Sequence, residues 1–280
     1  MEKSFENILD LIDCIDEENQ LLGANLLQNY PEEFKEHWGQ AYNPAVIKVI
    51  ELSIQRLFWV VEITPDSEPW SKGRNICYRW NNEKMSYGIE IKCDSEKFIE
   101  VIDAIEEVPE LANKIESVQI FNCDVEKQLE SFFSREWIKN NLKVCWLTHS
   151  KIQRLPENIQ NCQALEYLDL SHNHLEEISE FLFELQNLAY LDMSSNAIQG
   201  FSKGLSKLKK LKHLNLRQGE KYSEGKFLLL HGEEEAGGVP DEILQLQSLE
   251  YLRIDDSCYR KSSSLIQSFV CAIEKKTKKL

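Results

Sequence analysis

The residues best suited to chemistry are two histidines and a carboxylate. His149 and His172 lie 23 residues apart, and Asp169 lies just before the second of them. Neutral imidazole binds Zn²⁺ and also transfers protons, so this set would suit a metal site or an acid–base pair if the fold brought it together. No third metal ligand is specified at a suitable spacing. Ordinary polar surface residues are therefore the favoured interpretation of both histidines.

The two histidines occupy the same position, the eighth, in neighbouring units of a repeat. Three consecutive segments share the pattern L-x-x-L-x-L-x-x-N-x-L, and they span residues 142–164, 165–187 and 188–210. The third segment carries the pattern at Leu188, Leu191, Met193, Asn196 and Ile198. A period of about 23 residues lies in the range of leucine-rich repeats.

This pattern resembles the leucine-rich-repeat family, and in particular its short-repeat intracellular type with the step L-P-x-x-I-x-x-L. Here the step is carried by Leu155, Pro156 and Ile159, with Cys162 at its last position. The helical stretch 16–28 is similar to segments that precede the repeats in some bacterial cytoplasmic proteins. The resemblance implies a bacterial protein whose repeats build one curved parallel sheet and bind a partner.

The expected fold class is α/β, a leucine-rich-repeat solenoid with a curved parallel sheet of about six repeats. Positions 4 and 6 of each unit should point inward, and positions 3, 5 and 7 should point outward. An Asn at position 9 can bond backbone groups in the turn, so Asn173 and Asn196 predict a ladder. Further units begin at Ile115 and at Leu249. After the fourth clear strand the register is expected to fail, because Gly219 stands in the Asn position.

The chain divides into an N-terminal α+β region that caps the array, the repeats, and a C-terminal capping helix. The parts are a helical segment at 1–56, a β-meander plus helix at 57–114, repeats at 115–260 with an insertion at about 220–238, and a terminal helix at 261–280. In the unit that begins at Ile115, the segment 126–140 follows the predicted strand and is long enough for one full helix.

Charge and cysteine content narrow the function. The net charge of −15 and the pI of about 5.0 argue against nucleic acid or an anionic membrane as the main partner. The N-terminus lacks the layout of a signal peptide and no apolar run approaches a membrane span, which favours a cytoplasmic location. The eight cysteines form no C-x-x-C pair, and Cys145 and Cys162 fall on core positions. We therefore expect buried, reduced thiols and no metal or other cofactor.

The outward strand positions predict a binding surface on the concave face of the sheet. Exposed Trp and Tyr residues are not needed for folding there, and aromatics beside Asp and Arg are typical of protein-binding hot spots. A protein or peptide partner is expected, and the acidic balance favours a basic one. The candidate residues are Phe121, Val144, Trp146, Tyr167, Asp169, Tyr190, Asp192, His213, Arg217, Tyr251 and Arg253. The insertion, with Phe227, His231 and Glu233, is either a second binding element or a passive loop.

No catalytic motif is evident. The sequence has no phosphate-binding glycine loop, no G-x-S-x-G elbow and no H-E-x-x-H helix. The prediction is therefore a non-enzymatic interaction module. The competing hypothesis is an enzyme or small-ligand binder whose site lies in the N-terminal aromatic region, at Trp59, Trp70, Tyr78 and Trp80; packing is the alternative role for these side chains.

Overall fold

A computed structural model describes most of the chain. The described residues are 7–8, 10–11, 17–38, 45, 48–49, 52–53, 58–63, 86–91, 95–198, 200–218, 220–223, 226–229 and 238–277. Contacts divide the chain into two compact units, Met1–Gln119 and Ile120–Leu280. Within the described residues, no helix combines the length and the apolar character needed to cross a bilayer.

The first unit begins with helices. Helix α1 spans Glu17–Leu26, a 3-10 turn follows at Leu27–Asn29, and α2 spans Pro31–Trp38. Ala24, Leu27 and Phe34 are buried, so both helices contribute an apolar side to this unit's core. The described residues at 7–8, 10–11, 45, 48–49 and 52–53 are also helical.

Two antiparallel strands follow in the same unit. Strand β1, Phe58–Ile63, pairs with β2, Ser86–Ile91, so that Phe58 lies opposite Ile91. The possible middle strand of the predicted meander, at 75–80, lies outside the described residues. The amide of Tyr87 in β2 donates to the carbonyl of Lys114, directly before β3, Ile115–Phe121.

Helix α3, Ser95–Glu106, packs one apolar side into the first unit. Its buried residues recur at helical spacing, and they are Phe98, Val101, Ile102 and Ile105. A short helix, α4, spans Pro109–Ala112 and buries Leu111 and Ala112. Proline at the first helical position suits such a start, because its missing amide hydrogen would have no partner there.

The second unit opens with an interrupted helix, which corrects one prediction. Instead of one helix over 126–140, a 3-10 turn at Glu126–Gln128 leads into α5, Leu129–Ser134, and α6, Glu136–Asn141. Arg135 between them has an extended backbone with ψ of 133°. The break lets both helices bury their apolar residues, Phe132 and Phe133 in α5 and Trp137 and Ile138 in α6.

Five parallel strands form the sheet of the second unit. They are β4 (Val144–Thr148), β5 (Tyr167–Asp169), β6 (Tyr190–Asp192), β7 (His213–Asn215) and β10 (Tyr251–Arg253), in that spatial order. The same repeat position is opposite itself in every pair, because the register matches Val144, Tyr167, Tyr190, His213 and Tyr251. At about 4.8 Å per strand the sheet extends about 19 Å.

The interior of this unit follows the predicted alternation. Leu168, Leu191 and Leu214 point inward and are fully buried. The return segments of the units form 3-10 helices at Glu157–Asn161, Glu180–Glu184, Lys203–Lys207 and Asp241–Gln245. Cys145 and Cys162 are buried free thiols in this core, as predicted. Burial raises the pKa of Cys145, and it raises the pKa of Cys162 to about 12.

Two helices end the described chain. Helix α7 spans Asp256–Lys261 and α8 spans Ser264–Thr277. Ile266, Val270 and Ile273 of α8 are buried at helical spacing. The amphipathic spacing predicted a terminal helix over 261–280, and the structure begins that helix at Ser264, after Lys261 ends α7.

A buried amide ladder ties the turns of neighbouring units together. The Oδ1 atom of Asn173 accepts from the amides of Ser150 and Ile152, and its Nδ2 group donates to the carbonyls of Leu147 and Leu170. Asn196 repeats the pattern one unit on, accepting from Leu175 and donating to the carbonyls of Leu170 and Met193. The predicted ladder is confirmed.

The ladder continues past Asn196, so the predicted loss of register is wrong for this part of the turn. Gln218, only 4% exposed, accepts from the amides of Asn196 and Ile198 and donates to the carbonyls of Met193 and Leu216. The side chain of Gln is one methylene longer than that of Asn, so it reaches the same groups from the position before Gly219. The amide of Gln218 then donates to Asp255, in the last unit.

The insertion leaves the sheet unbroken. Strand β10 pairs directly with β7 although the insertion separates them in sequence. The insertion was predicted as a loop, and part of it instead forms a two-stranded antiparallel hairpin of β8, Glu220–Ser223, and β9, Lys226–Leu229. Gly238 marks the return to the array.

Candidate functional site

Five rings form a continuous row across the outward face of the second unit's sheet. We call this set the aromatic row: Trp146, Tyr167, Tyr190, His213 and Tyr251. The last four rings stack nearly parallel, with centroid separations of 3.9 Å, 4.1 Å and 4.1 Å and interplanar angles of 14°, 15° and 8°. Trp146 meets Tyr167 at 5.2 Å and 51°.

The repeat register produces this row. Four of its members occupy position 3 of successive units, and the parallel pairing places equal positions side by side. Tyr190 and His213 each have a stacked ring on both sides, so their faces are covered by neighbouring rings. All five side chains are half-buried. The row therefore presents a stiff ridge, because each ring limits the rotation of its neighbours.

The polar groups of the row are uncharged at neutral pH. The hydroxyl of Tyr167 hydrogen-bonds with the hydroxyl of Tyr190 and with the indole of Trp146. Burial raises the pKa of both tyrosines, to about 12 for Tyr190, so both stay protonated. Burial lowers the pKa of His213 to about 4, so its imidazole is neutral at pH 7.

The two aspartates of the predicted site are engaged within the protein. The Oδ1 atom of Asp169 accepts from the amide of Ser171 at 2.8 Å. Asp192, 9% exposed, accepts from the amide and hydroxyl of Ser194 at 2.8 Å and 2.6 Å, and from Asn215 at 2.8 Å. Burial raises the pKa of Asp169. These carboxylates therefore support the chain as it leaves each strand, and much of their accepting capacity is already used.

A second, shorter row lies where the strands end. The ring of His149 stacks on that of His172 at 4.2 Å and 14°, and Phe121 meets His149 at 5.0 Å. The predicted proximity of the two histidines is confirmed. Burial, together with the neighbouring His172, lowers the pKa of His149. Among the described residues no group of three or more metal-ligating side chains forms.

Backbone geometry explains why histidine occupies this position. Asn122, His149, His172 and Ser195 all have φ between 54° and 57°, in the left-handed region. They share position 8 of consecutive units. Asn and His are among the non-glycine residues that most often adopt this conformation. The histidines thus have a structural role in the turn.

The remaining predicted residues lie at the margins of the row. Val144 is half-buried at its start, whereas Arg217 and Arg253 are exposed near its other end. Phe121 is 40% exposed. Phe227 lies in β9 opposite Tyr222. His231 and Glu233 lie outside the described residues.

Of the aromatic residues of the alternative N-terminal site, one lies within the described residues. Trp59 lies in β1, opposite Glu90. Trp70, Tyr78 and Trp80 lie outside the described residues. The structure therefore does not show these four aromatic residues together.

Sequence reasoning missed two residues that organise the outward face. Gln218 carries the ladder, and Asn215 bonds the second oxygen of Asp192. The engagement of the aspartates was foreseeable, since Asp169 and Asp192 are each followed two residues later by Ser. An Asp in this spacing readily accepts from the amide two residues on.

The repeated strand, the amide ladder and the buried leucines define a leucine-rich-repeat solenoid. Residues 163–218 match the model of the leucine rich repeat family. This match lies within the array, over the repeats that carry β5, β6 and β7.

Three solved structures illustrate the likeness. A leucine-rich-repeat protein of Leptospira interrogans is 19% identical with a TM-score of 0.41, covering 61% of this chain and 44% of its own. The plant peptide hormone receptor RGFR1 in complex with RGF2 is 20% identical with a TM-score of 0.37, and the match covers 53% of this chain and 22% of that one. The crystal structure of PEPR1–AtPEP1 is 17% identical with a TM-score of 0.38, and the match covers 62% of this chain and 21% of that one. This chain thus spans less than half of each of these proteins. A comparison with curated sequences found no match.

Proposed function

We propose that this protein is a non-enzymatic interaction module that binds a protein or peptide on the outward face of its repeat sheet. The match of residues 163–218 to the leucine rich repeat family supports the general role, since such arrays commonly present extended binding surfaces. The aromatic row supports the particular face. Binding at this site needs little ordering, because the stacked rings are already fixed before a partner arrives.

The aromatic row is the single observation that carries this proposal. Polar side chains at the outward strand positions would be enough for a soluble solenoid. Here, however, four consecutive units place aromatic rings in contact at these positions. Large rigid rings add contact area at low cost in conformational entropy, which is why Tyr and Trp are common anchors of interfaces. A surface about 19 Å long suits a peptide or a protein better than a small metabolite.

The experiment compares the proteins retained by the tagged wild type with those retained by a triple variant, Trp146→Ala, Tyr167→Ala and Tyr190→Ala. Quantitative mass spectrometry of extracts from the source cells gives the readout. Each lost ring contact costs about 0.2–1 kcal/mol, so the variant should remain folded, and a thermal melt verifies this.

A matched control removes three half-buried aromatic side chains away from the strands: Phe181→Ala, Phe201→Ala and Phe269→Ala. The proposal expects one specific protein to be lost from the first variant and kept by the control. Retention of the same proteins by both variants would contradict it. If the triple variant melts far below the wild type, Tyr190→Ala alone replaces it in the same comparison.

A further inference from the structure

We propose that the partner segment next to Arg217 and Arg253 is acidic, and that its side-chain carboxylates bind these two arginines. This inference rests on the proposed binding face. It also reverses the expectation from net charge, because a chain with a net charge of −15 would be expected to favour a basic partner. The local chemistry of the outward face argues the other way.

The carboxylates on this face are largely unavailable to a partner. Asp192 is buried and accepts three hydrogen bonds from Ser194 and Asn215. Asp169 is half-buried and accepts from Ser171. A basic partner would have to compete with these internal bonds and would regain only part of its hydration energy. The two aspartates are therefore poor docking points for a lysine or an arginine.

The ring side chains of the face carry no negative charge at pH 7. The tyrosine hydroxyls stay protonated, and the imidazole of His213 is neutral, so neither adds negative charge. Arg217 and Arg253 are exposed, and neither forms an ion pair with any described acidic residue. The nearest carboxylate, that of Asp255, is half-buried and accepts from the amide of Gln218, whereas both guanidinium groups are exposed. Such a surface matches a partner rich in acceptors.

The sheet places the two arginines close together on one side. Arg253 lies opposite Asn215 in the parallel register, and Arg217 lies two residues beyond Asn215. The amide of Leu216 donates to the carbonyl of Arg253 at 2.8 Å, which fixes the two backbones against each other. Leu216 and Leu252 are buried, so both arginines lie at alternate, outward positions. Guanidinium groups bind carboxylates with two parallel hydrogen bonds, so a pair can hold two acidic side chains.

A short acidic peptide segment fits these facts better than a long polyanion. The favourable arginines are confined to one end of the face, whereas the chain as a whole is strongly acidic. A nucleic acid would bring many phosphates near this acidic remainder, and its affinity depends on many basic contacts. A peptide needs to place only a few carboxylates at the arginines while its apolar side chains reach the aromatic row.

The test is a selection from a displayed library of random 12-residue peptides on the full chain. Selected peptides are then synthesised, and their Kd is measured by fluorescence anisotropy. We expect enrichment in Asp and Glu, and a Kd that rises about tenfold or more in the double variant Arg217→Glu, Arg253→Glu. The Kd should also rise with salt, since exposed ion pairs are screened. A 12-nucleotide single-stranded DNA serves as the nucleic-acid probe.

A matched variant carries the same charge change away from the strands, at Arg154→Glu and Arg260→Glu, where both residues are exposed. It should bind the selected peptides like the wild type. Enrichment in Lys and Arg, equal loss in both double variants, or tighter binding of the DNA would overturn the proposal.

Failure of the broader function gives a different result. If the aromatic row does not bind, selected peptides should bind the triple aromatic variant as well as the wild type. If only the charge inference is wrong, peptides should be lost from the aromatic variant yet bind the Arg217→Glu, Arg253→Glu variant unchanged.

Discussion

Replacement of Gln218 by leucine tests whether this residue continues the amide ladder. The substitution keeps the volume and removes every polar atom of the side chain. The buried amides of Asn196 and Ile198 then lose their acceptor, which lies 3.2 Å from each of them in the native protein. The carbonyl of Leu216 loses its bond from Gln218 as well, whereas the carbonyl of Met193 keeps its bond from Asn196. Neither amide can turn to solvent without moving the turn.

The magnitude follows from the cost of unpaired buried groups. Each buried amide without a partner costs about 1–3 kcal/mol. Local relaxation recovers part of this cost, so we expect the free energy of unfolding to fall by about 3 kcal/mol. For a protein of this size each kcal/mol lowers the Tm by about 2–4 °C. The Tm of Gln218→Leu should therefore fall by roughly 6–12 °C.

Differential scanning calorimetry of three variants gives the answer. Asn173→Leu removes an established member of the ladder and sets the scale. Gln247→Leu makes the same chemical change at an exposed position and should shift the free energy of unfolding by less than about 0.5 kcal/mol. If the Tm of Gln218→Leu is close to that of Gln247→Leu and well above that of Asn173→Leu, the ladder ends at Asn196 and our reasoning is wrong.

Three further predictions concern packing, pH and thiol reactivity. Gly238→Ala should lower the Tm strongly, because its new Cβ atom would lie 2.4 Å from the backbone oxygen of Lys261, whereas Gly200→Ala meets nothing within 4 Å; equal melts would refute this. Burial depresses the pKa of His213 to about 4, so the unfolded chain takes up a proton first as the pH falls below about 6.5. The Tm difference between pH 7 and pH 5 should therefore be larger in the wild type than in His213→Asn, and an equal difference would show that this ring is not shielded. Cys162 should resist an alkylating reagent in the native protein and react after unfolding, as followed by peptide mass spectrometry; rapid native labelling would contradict its burial.

The sheet could be predicted because its determinants are local and periodic. Leu168, Leu191 and Leu214 recur at one spacing, and only one register buries them all. Asn173 and Asn196 identify the turn for the same reason. The proximity of Tyr167 and Tyr190 then follows, since equal positions in parallel units must be neighbours.

Other features depend on geometry that a repeat pattern does not carry. Gln218 replaces Asn from a neighbouring position, so an alignment by position finds only Gly219 and indicates a gap. The extended backbone of Arg135 separates α5 from α6 without a proline or glycine nearby, so no residue type in the sequence marks this break. The internal use of Asp192 requires Asn215, which is distant in sequence.

The uninterrupted pairing of β7 with β10 means that this junction can accept extra chain at little cost. Lengthening the connection from about 20 to about 35 residues adds roughly 0.5 kcal/mol of closure entropy, because that cost grows only with the logarithm of length. The register is held by Tyr251 opposite His213 and by the bond from Gln218 to Asp255, both independent of what lies between. The segment between β7 and β10 is therefore a suitable insertion site for protein engineering. A foreign epitope or a small folded domain placed there would be displayed from the array while the neighbouring repeats keep their spacing.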